Sequence, residues 1–414
     1  MQAVIMAGGK GTRIASINSD VPKPMIIICG KPILLHQVEC LKRQGITEII
    51  LVIGHLGHII KDYFKDGKEF GVSIQYIEET VPLGTAGALY YLKDIIKDDF
   101  LLINGDIIFD VDFERFMQYH KEKGGYATIL THPNSHPYDS GLVFTDKERF
   151  VTKWLHKEDE RTYYRNRVNA GLHILSPNLL SAFDEVKKLD LDRDILKTLI
   201  PNRQLVAYDS PEYVKDMGTP ERYQMVTKDI ENGLVQAKNL KNKQKAIFLD
   251  RDGTINVYKG FITRPEEFEL ISGIAEKIKK INESGYLAIV VTNQPVIARG
   301  ECSIEELDII HQKMETLLGE KGAYIDDLFY CPHHPDKGFE GERIEYKIAC
   351  ECRKPKPGLL YQAAEKYNID LKESYMVGDD ERDMEAGRRA GCKVYKVECN
   401  DAEWLLEKYI VSTE

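Results

Sequence analysis

The sequence predicts an α/β protein of two domains, each built on a mostly parallel sheet flanked by helices. Short apolar runs alternate with amphipathic, charged segments, which is the pattern of strands and helices in such a sheet. The alternation stops at a polar stretch rich in lysine and asparagine and starts again at Ala246. A length of 414 residues also exceeds what one core usually supports. We therefore expect domains at 1–233 and 245–414, joined by a linker at 234–244.

The expected strands of the first domain are, in chain order, AVIMAG, EIILVIG, SIQYIEE, FLLINGD, ATILTH and NAGLHIL. Amphipathic stretches predict helices at 32–45 and 86–97, and GTPERYQMVTKDIENGL predicts a closing helix. The expected strands of the second domain are AIFLD, LAIVVTN, DDLFYC and YMVGDD. The two sets share no repeat, so the halves are predicted to be two different domains.

The composition argues against several classes of partner. The chain has 56 Lys and Arg against 66 Asp and Glu, a net charge of -10, and no long basic run, which disfavours nucleic acid. No stretch approaches the roughly 20 apolar residues of a membrane span, and the first apolar run is too short for a signal peptide. We expect a cytoplasmic protein with reduced cysteines or a metal site, acting on small molecules. The oligomeric state, a homo-oligomer included, stays open.

Glycines cluster where the first strand ends, in MAGGKGTR. Gly8, Gly9 and Gly11 allow a phosphate to approach the backbone, and the N–H groups at the start of a following helix point toward it. A tight strand-to-helix turn needs glycine for steric reasons as well. Arg13 and Lys23 add two cations near the same loop. The combination predicts a phosphate site.

Two aspartates are candidate metal ligands for that site. Asp106 ends the strand FLLINGD, where a carboxylate can hold Mg²⁺ against a triphosphate. Asp216, in VKDMGTP, offers a second carboxylate.

The motifs AGGKGTR, PKP, PLGTAGA, NGD, NAG and KDMGTPERY occur in the order and approximate spacing of the sugar-1-phosphate nucleotidyltransferases. The resemblance covers 1–233 and implies a Rossmann-like domain. The groups it implies for the nucleotide phosphates are Gly8, Gly9, Gly11, Thr12, Arg13 and Lys23, the last at the reacting α-phosphate. The resemblance also implies that Gly84 and Thr85 border the base and that Asp106 and Asp216 bind Mg²⁺. It implies contacts to the sugar phosphate from Lys157 and Asn169.

The stretch ETVPLGTAGAL is closest to the mannose-1-phosphate and heptose-1-phosphate guanylyltransferases, which favours GTP over other nucleotides. One departure concerns Lys157. The family often has Glu-Lys-Pro where this chain has HKE.

Two carboxylates lie at the end of the strand AIFLD. Asp250 is its last residue, and Asp252 lies in the turn that follows. An Asp-Gly turn accounts for only one of them. A phosphatase mechanism gives both carboxylates a role. Asp250 would attack phosphorus to form an aspartyl-phosphate, while Asp252 would protonate the leaving oxygen and then activate water. A carboxylate approaches a phosphate dianion only with a cation present. We expect that cation to be Mg²⁺, held by Asp250, Asp252 and Asp379.

Phosphate-compatible groups follow at other strand ends. Thr292, Asn293 and Gln294 close LAIVVTNQ, and Arg353 and Lys354 lie in CRKPKPG. Hydroxyl and amide donors and cations all suit phosphate oxygens.

The order D-x-D-G-T, T-N, Lys and G-D-D resembles the haloacid dehalogenase (HAD) superfamily of phosphatases. The resemblance covers about 245–395 and is greatest to the heptose 1,7-bisphosphate 7-phosphatases, with the histidinol-phosphate phosphatases next. It implies Asp250 as nucleophile, Asp252 as acid and base, and Thr292 and Lys354 as stabilisers of the phosphoryl group. The residues it implies for substrate are Tyr258, Lys259, Gly260, Phe261, Asn293, Gln294, Arg353 and Lys354.

The stretch CPHHPDKGFEGERIEYKIACEC contains four candidate metal ligands. Cys331, His333, Cys350 and Cys352 fit a tetrahedral Zn²⁺ site, and His334 is the competing imidazole. Four protein ligands leave no open position, so this zinc is predicted to be structural.

Two phosphate sites predict two reactions in one chain. The hypothesis is a heptose-1-phosphate guanylyltransferase fused to a heptose-bisphosphate phosphatase, in which the phosphatase releases the sugar 1-phosphate that the transferase consumes. One alternative keeps both reactions on a mannose-type sugar or a histidinol-phosphate-like ester. The other makes one domain a non-catalytic nucleotide-binding module.

Overall fold

The computed structural model describes residues 1–9, 21–338 and 340–402. The chain forms two compact units, neither of them continuous in sequence. The first comprises Met1–Thr131, Val143–Trp154 and Asn169–Asn239, and the second comprises His132–Leu142, Leu155–Val168 and the chain from Leu240 onward. Two segments from the amino-terminal half therefore pack with the second unit. The boundaries at 233 and 245 stay a prediction.

The chain up to residue 239 contains thirteen strands and six α-helices among its described residues. The strands are β1 Gln2–Met6, β2 Ile27–Ile28, β3 Lys31–Pro32, β4 Glu48–Ile53, β5 Ser73–Glu78, β6 Phe100–Asn104, β7 Ile107–Asp110, β8 Ala127–His132, β9 Leu142–Thr145, β10 Val151–Leu155, β11 Val168–Leu175, β12 Leu205–Asp209 and β13 Tyr213–Asp216. The helices are α1 Ile33–Arg43, α2 Gly57–Phe64, α3 Phe113–Lys123, α4 Pro177–Leu180, α5 Pro220–Glu231 and α6 Leu234–Ala237.

Nine of these strands form one sheet over the described residues, in the order β10-β9-β11-β6-β1-β4-β5, with β8 pairing to β11 and β12. β1 is parallel to both β4 and β6, and β4 is parallel to β5. Successive side chains of β1 enter different cores: Ala3 and Ile5 lie in one apolar cluster and Val4 in another. Because both faces of β1 are covered, its sequence is a continuous apolar run.

The second unit has a five-stranded sheet in the order β16-β15-β14-β17-β18, with every pair parallel. Its strands are β14 Ala246–Leu249, β15 Leu287–Asn293, β16 Asp327–Cys331, β17 Tyr375–Gly378 and β18 Lys393–Lys396. Its α-helices are α7 Ile274–Glu283, α8 Ile304–Glu320, α9 Gly358–Tyr367 and α10 Glu381–Ala390. Ile247 and Leu249 enter one core and Phe248 the other, so this sheet is also covered on both faces.

The predicted fold class is confirmed, since each unit has a mostly parallel sheet with helices. The helix expected at 86–97 is instead a short 3-10 helix, Gly87–Leu92. A Cβ at Gly87 would lie 2.2 Å from the Lys187 carbonyl oxygen, so glycine is needed where this short helix begins. Part of the expected linker is helical, at α6. No described helix is long and apolar enough to cross a bilayer.

Candidate functional sites

The first candidate site lies where β1, β4, β5 and β6 end. These strands are parallel neighbours, so the residues that follow them meet at one edge of the sheet. A Cβ at Gly8 would lie 2.6 Å from Glu79 Oε2, and one at Gly105 would lie 2.6 Å from the Met6 carbonyl oxygen. The backbone contact requires glycine at position 105, whereas the Glu79 side chain could move away from a Cβ at position 8. Gly9 has open space around it, whereas Gly11, Thr12 and Arg13 lie outside the described residues.

Lys23 and Asp106 are joined at this edge. The Lys23 ammonium lies 2.5 Å from Asp106 Oδ2, and the two side chains are 11% and 35% exposed. β13 is antiparallel to β7, and the Met217 N–H donates to the Asp106 carbonyl oxygen at 3.0 Å. The backbones of Asp216 and Asp106 therefore lie side by side.

Asp216 has a partner that the sequence did not indicate. Arg222, in the first turn of α5, contacts both Asp216 oxygens at 2.7 and 2.6 Å. Burial opposes ionisation of Asp216, but Arg222, the Gly218 N–H and the charge of Lys23 outweigh it and lower the pKa of the carboxyl. Asp216 is thus held as a carboxylate.

Gly84 and Thr85 are fixed against the segment 189–191. Gly84 has a φ of +79°, and a Cβ there would lie 2.4 Å from the Leu189 carbonyl oxygen. Thr85 Oγ1 accepts a hydrogen bond from the Leu191 N–H at 2.7 Å. These contacts set the shape of the loop, and the Thr85 hydroxyl is occupied in doing so.

The two predicted sugar-phosphate residues lie in different units. Asn169 Nδ2 donates to Asp192 Oδ1 at 3.3 Å in the first unit. Burial raises the pKa of Asp192 to about 6, and Asp190 adds to this effect. Lys157 lies in an exposed turn of a segment that packs with the second unit.

Glu79 was missed by sequence reasoning because the end of an edge strand usually carries solvated charges. Its Oε1 is buried and finds no hydrogen-bond partner among the described residues, while Oε2 faces Gly8. Burial raises the pKa of this carboxyl, and the Leu83 N–H opposes the rise. A buried acceptor without a partner costs about 1–3 kcal/mol.

The second candidate site lies where β14, β15 and β17 end. β14 is parallel to both neighbours, so Asp250, Asn293 and Asp379 are delivered to one edge. The Asp250 N–H donates to the Val377 carbonyl oxygen at 2.9 Å, which continues the sheet to the carboxylate. The structure thus brings together the strand-end residues that the sequence indicated.

Lys354 is buried between two carboxylates. Its ammonium lies 2.7 Å from Asp250 Oδ1 and 2.6 Å from Asp383 Oδ1, and it donates to the Val291 carbonyl oxygen at 2.9 Å. The Asn293 amide bonds both backbone groups of Lys354, at 3.0 and 3.1 Å. Burial alone would lower the pKa of Lys354, but the two carboxylates raise it. Lys354 is therefore a fixed cation.

Asp250, Asp379 and Asp383 form a cluster that could hold a metal ion, with one oxygen of each within 4.8 Å of the others. Burial raises the pKa of Asp250 to about 7, Lys354 opposes the rise, and Asp383 adds to it. A divalent cation would favour the ionised form. Asp383, in the first turn of α10, was missed by sequence reasoning.

Asp252 lies outside that cluster and is held by donors. Arg251 Nη2 contacts its two oxygens at 2.8 and 2.9 Å. Gln294 Nε2 donates to Asp252 Oδ2 at 2.8 Å and to Thr292 Oγ1 at 2.9 Å. Asn256 Nδ2 donates to Oδ1 at 3.1 Å. The carboxylate is therefore oriented by three side chains.

The loop 258–261 is exposed and connected to the same region. Tyr258 and Phe261 are 55% and 51% exposed. Asn400 joins the loop to the turn that follows Asp252. Its Oδ1 accepts from the Tyr258 N–H at 2.5 Å, and its own N–H donates to the Gly253 carbonyl oxygen at 2.9 Å. The guanidinium of Arg299, which the sequence did not single out, lies 4.7 Å from the Phe261 ring centroid.

Cys331, His333, Cys350 and Cys352 converge, with their ligand atoms within 4.8 Å of one another. The three sulfurs lie 3.2 to 3.5 Å apart, and His333 Nδ1 lies 3.3 Å from Cys352 Sγ. The competing imidazole, His334, is instead oriented toward Asp336. Arg353 follows the cluster directly and donates to the His333 carbonyl oxygen at 3.1 Å. The cluster could hold a metal ion.

The two halves of the chain match two different protein families. Residues 2–233, more than half of the chain, match the family model described as nucleotidyl transferase. Residues 351–404 match the model described as HAD-hydrolase-like. The chain therefore carries a nucleotidyl transferase domain and a HAD-like domain.

Individual relatives cover one half each. A mannose-1-phosphate guanyltransferase of Candida glabrata is 32% identical over 229 residues, which is 54% of this chain and 63% of that protein. HddC from Yersinia pseudotuberculosis is 27% identical, with a TM-score of 0.49 over 55% of this chain and 99% of that one. A protein from Mesorhizobium loti assigned as a HAD-like phosphatase is 36% identical, with a TM-score of 0.34 over 36% of this chain and 70% of that one. The chain spans less than two thirds of the length of its curated relatives.

The turn after Asp252 should tolerate no side chain at Gly253. Its φ is +86°, and a Cβ would lie 2.4 Å from Asp379 Oδ2. We expect Gly253→Ala to lower the free energy of unfolding by about 2–4 kcal/mol through strain and overlap together. Gly391→Ala is the control, because its φ is +84° with no atom within 4 Å, so only about 1–2 kcal/mol is expected. Equal losses in urea unfolding would contradict the proposed overlap.

Proposed function

Because this chain belongs to the nucleotidyl transferase family, we propose that its first site transfers GMP from GTP to a sugar 1-phosphate. We propose that the HAD-like site removes the distal phosphate of the same sugar as a bisphosphate. The observation that carries this proposal is the presence of two separate strand-end sites, each combining carboxylates with a lysine. Heptose 1,7-bisphosphate is the preferred sugar. A mannose-type 1-phosphate is the second candidate, because the curated relatives carry that name.

The first reaction needs positioning and charge rather than a base, since a sugar phosphate is already a nucleophile. Lys23 would neutralise the reacting α-phosphate, and Gly8 and Gly9 would let the nucleotide approach the backbone. Asp106 and Asp216 would hold Mg²⁺, which shields the triphosphate. Their placement on paired backbone supports this role.

Glu79 is the group we assign to the base. A carboxylate beside the phosphates would repel them, whereas guanine offers two adjacent donors, N1–H and the N2 amino group, to a carboxylate. The buried Oε1, which has no hydrogen-bond partner among the described residues, supports this assignment. Adenine presents an acceptor at N1, so the same carboxylate would disfavour ATP.

In the second reaction Asp250 would attack phosphorus while Asp252 gives a proton to the leaving sugar oxygen. Asp252 would then take a proton from water as the water attacks the aspartyl-phosphate, which returns both groups to their first state. Lys354 and Thr292 would stabilise the transferring phosphoryl oxygens. Asp250, Asp379 and Asp383 would hold Mg²⁺, which supplies the positive charge that allows a carboxylate to approach phosphate.

The substitutions Asp250→Asn and Asp106→Asn should separate the two reactions. We expect Asp250→Asn to reduce phosphate release at least about a thousandfold, because an amide is a poor nucleophile, while nucleotidyl transfer persists. Asp106→Asn should do the reverse. Mass spectrometry of products from heptose 1,7-bisphosphate, and separately from a sugar 1-phosphate with GTP and Mg²⁺, distinguishes them. If either variant lost both reactions while folded, the two-site proposal would fail.

A second prediction concerns nucleotide choice. Glu79→Gln should lower kcat/KM for GTP by about 10- to 100-fold, because an amide offers one acceptor where the carboxylate offers two. The loss for ATP should be much smaller. Glu78→Gln is the matched control, since the adjacent carboxylate is exposed and pairs with Lys61. An unchanged ratio of GTP to ATP use would reject the assignment of Glu79.

A third prediction concerns the thiol cluster, which we propose binds structural Zn²⁺. Fresh protein should contain about one Zn²⁺ per chain. Cys350→Ser should remove it and lower phosphatase activity, because the cluster orders the chain leading into Arg353 and Lys354. Nucleotidyl transfer should persist in Cys350→Ser, and Cys29→Ser, at an exposed thiol of the first unit, should leave zinc in place. Unchelated protein free of zinc would contradict the proposal.

A further inference from the structure

The segment 155–168 belongs to the transferase half by sequence but to the second unit by packing. It connects β10 to β11, two strands of the first sheet. It is nevertheless grouped with the HAD-like unit, together with His132–Leu142. A surface connection between two strands usually carries few buried charges. This one carries Arg165 and Arg167, of which Arg167 is buried.

Both arginines meet one carboxylate on α8. Glu315 is 1% exposed, and its Oε1 lies 2.6 Å from Arg165 Nε. Its Oε2 lies 3.5 Å from Arg167 Nη1 and accepts from the Asn166 N–H at 2.8 Å. At the adjacent positions, the Tyr164 N–H donates to Thr316 Oγ1 at 3.0 Å. The segment is thus fixed to α8 by backbone and side-chain contacts together.

The same face of α8 reaches the phosphatase site. His311 lies four residues before Glu315, so the two side chains share a face of the helix. His311 Nε2 accepts from Arg251 Nη1 at 3.2 Å, and both residues are buried. Burial, reinforced by the charges of Arg251 and Arg165, lowers the pKa of His311 far below its ordinary value. The neutral ring is the form that can accept from a guanidinium.

Arg251 completes the path, because it lies between Asp250 and Asp252 in sequence and is fully buried. Its Nη2 contacts both oxygens of Asp252, as described above. One end of the Arg251 guanidinium contacts His311 and the other contacts Asp252. Arg251 therefore connects α8 to that carboxylate. The contacts run from Arg165 to Glu315 along α8 to His311, Arg251 and Asp252.

We propose that the 155–168 segment is a positioning element of the phosphatase: through Glu315 and α8 it fixes Arg251, and thereby the orientation of Asp252. The proposal rests on the phosphatase function given above. Arg165, Glu315 and His311 are positioning residues, since none of them touches Asp250 or the acidic cluster in any contact described here. The phosphatase would then depend on a stretch of chain that lies within the transferase sequence.

The leaving group distinguishes positioning of Asp252 from a general effect on stability. A sugar alkoxide must be protonated as it leaves, whereas p-nitrophenolate leaves readily without a proton. A displaced Asp252 therefore impairs hydrolysis of a sugar phosphate far more than hydrolysis of p-nitrophenyl phosphate. Partial unfolding lowers both rates by the same factor.

The experiment compares kcat/KM for heptose 1,7-bisphosphate and p-nitrophenyl phosphate in the full-length chain. Arg165→Ala and Glu315→Gln should lower the value for the sugar phosphate by about tenfold or more, and that for p-nitrophenyl phosphate by no more than about twofold. Asp252→Asn should show the same division more strongly, and Arg165→Lys should restore part of the loss. Thr162→Ala, at an exposed position of the same segment, is the control and should change neither value.

Equal losses with the two esters, or no loss with either, in folded Arg165→Ala would overturn the proposal. Arg165 is 27% exposed, so this variant carries the test if the buried Glu315→Gln does not fold. Hydrolysis of neither ester by the unsubstituted chain would instead reject the phosphatase function itself. The two failures are therefore distinguishable.

Discussion

Both sites depend on one constraint, which is that neighbouring parallel strands deliver their carboxyl-terminal residues to a single edge of a sheet. In the first unit β1, β4, β5 and β6 bring Gly8, Gly54, Glu79 and Asp106 to one edge. In the second unit β14, β15 and β17 do the same for Asp250, Asn293 and Asp379. Residues far apart in sequence thus become neighbours at the edge of a sheet. The hydrogen-bonded strands fix the distances between them.

The constraint also concentrates charge, and each site balances it with a lysine. Lys23 pairs with Asp106, and Lys354 pairs with Asp250 and Asp383. The second case is the more demanding, because a buried ion pair is stable only while every partner is present. Gly378 and Gly253 are the positions where a side chain would displace a carboxylate of this cluster. The positions of these carboxylates therefore depend both on the absence of a side chain at the two glycines and on the charge of Lys354.

Sequence patterns predicted the fold class and most strand ends because apolar runs and the polar residues after them are local features. Asp383 was missed because its place depends on which face of α10 meets the sheet. Glu79 was missed because an acidic residue at the end of an edge strand is usually exposed to solvent. Only the structure shows that it lies against Gly8. The packing of Arg165 and Arg167 with Glu315 was beyond prediction, since it joins charged positions about 150 residues apart, with no pattern to relate them.

The central claim is that the two sites act in order on one sugar, and phosphorus NMR tests it most directly. The full chain would be given heptose 1,7-bisphosphate, GTP and Mg²⁺, and both sugar phosphates would be followed together. The account predicts that the 7-phosphate signal falls first as inorganic phosphate appears. The anomeric phosphate should then become part of a GDP-sugar as pyrophosphate is released. Loss of the anomeric signal first, leaving the sugar 7-phosphate, would contradict it even if both sites were active.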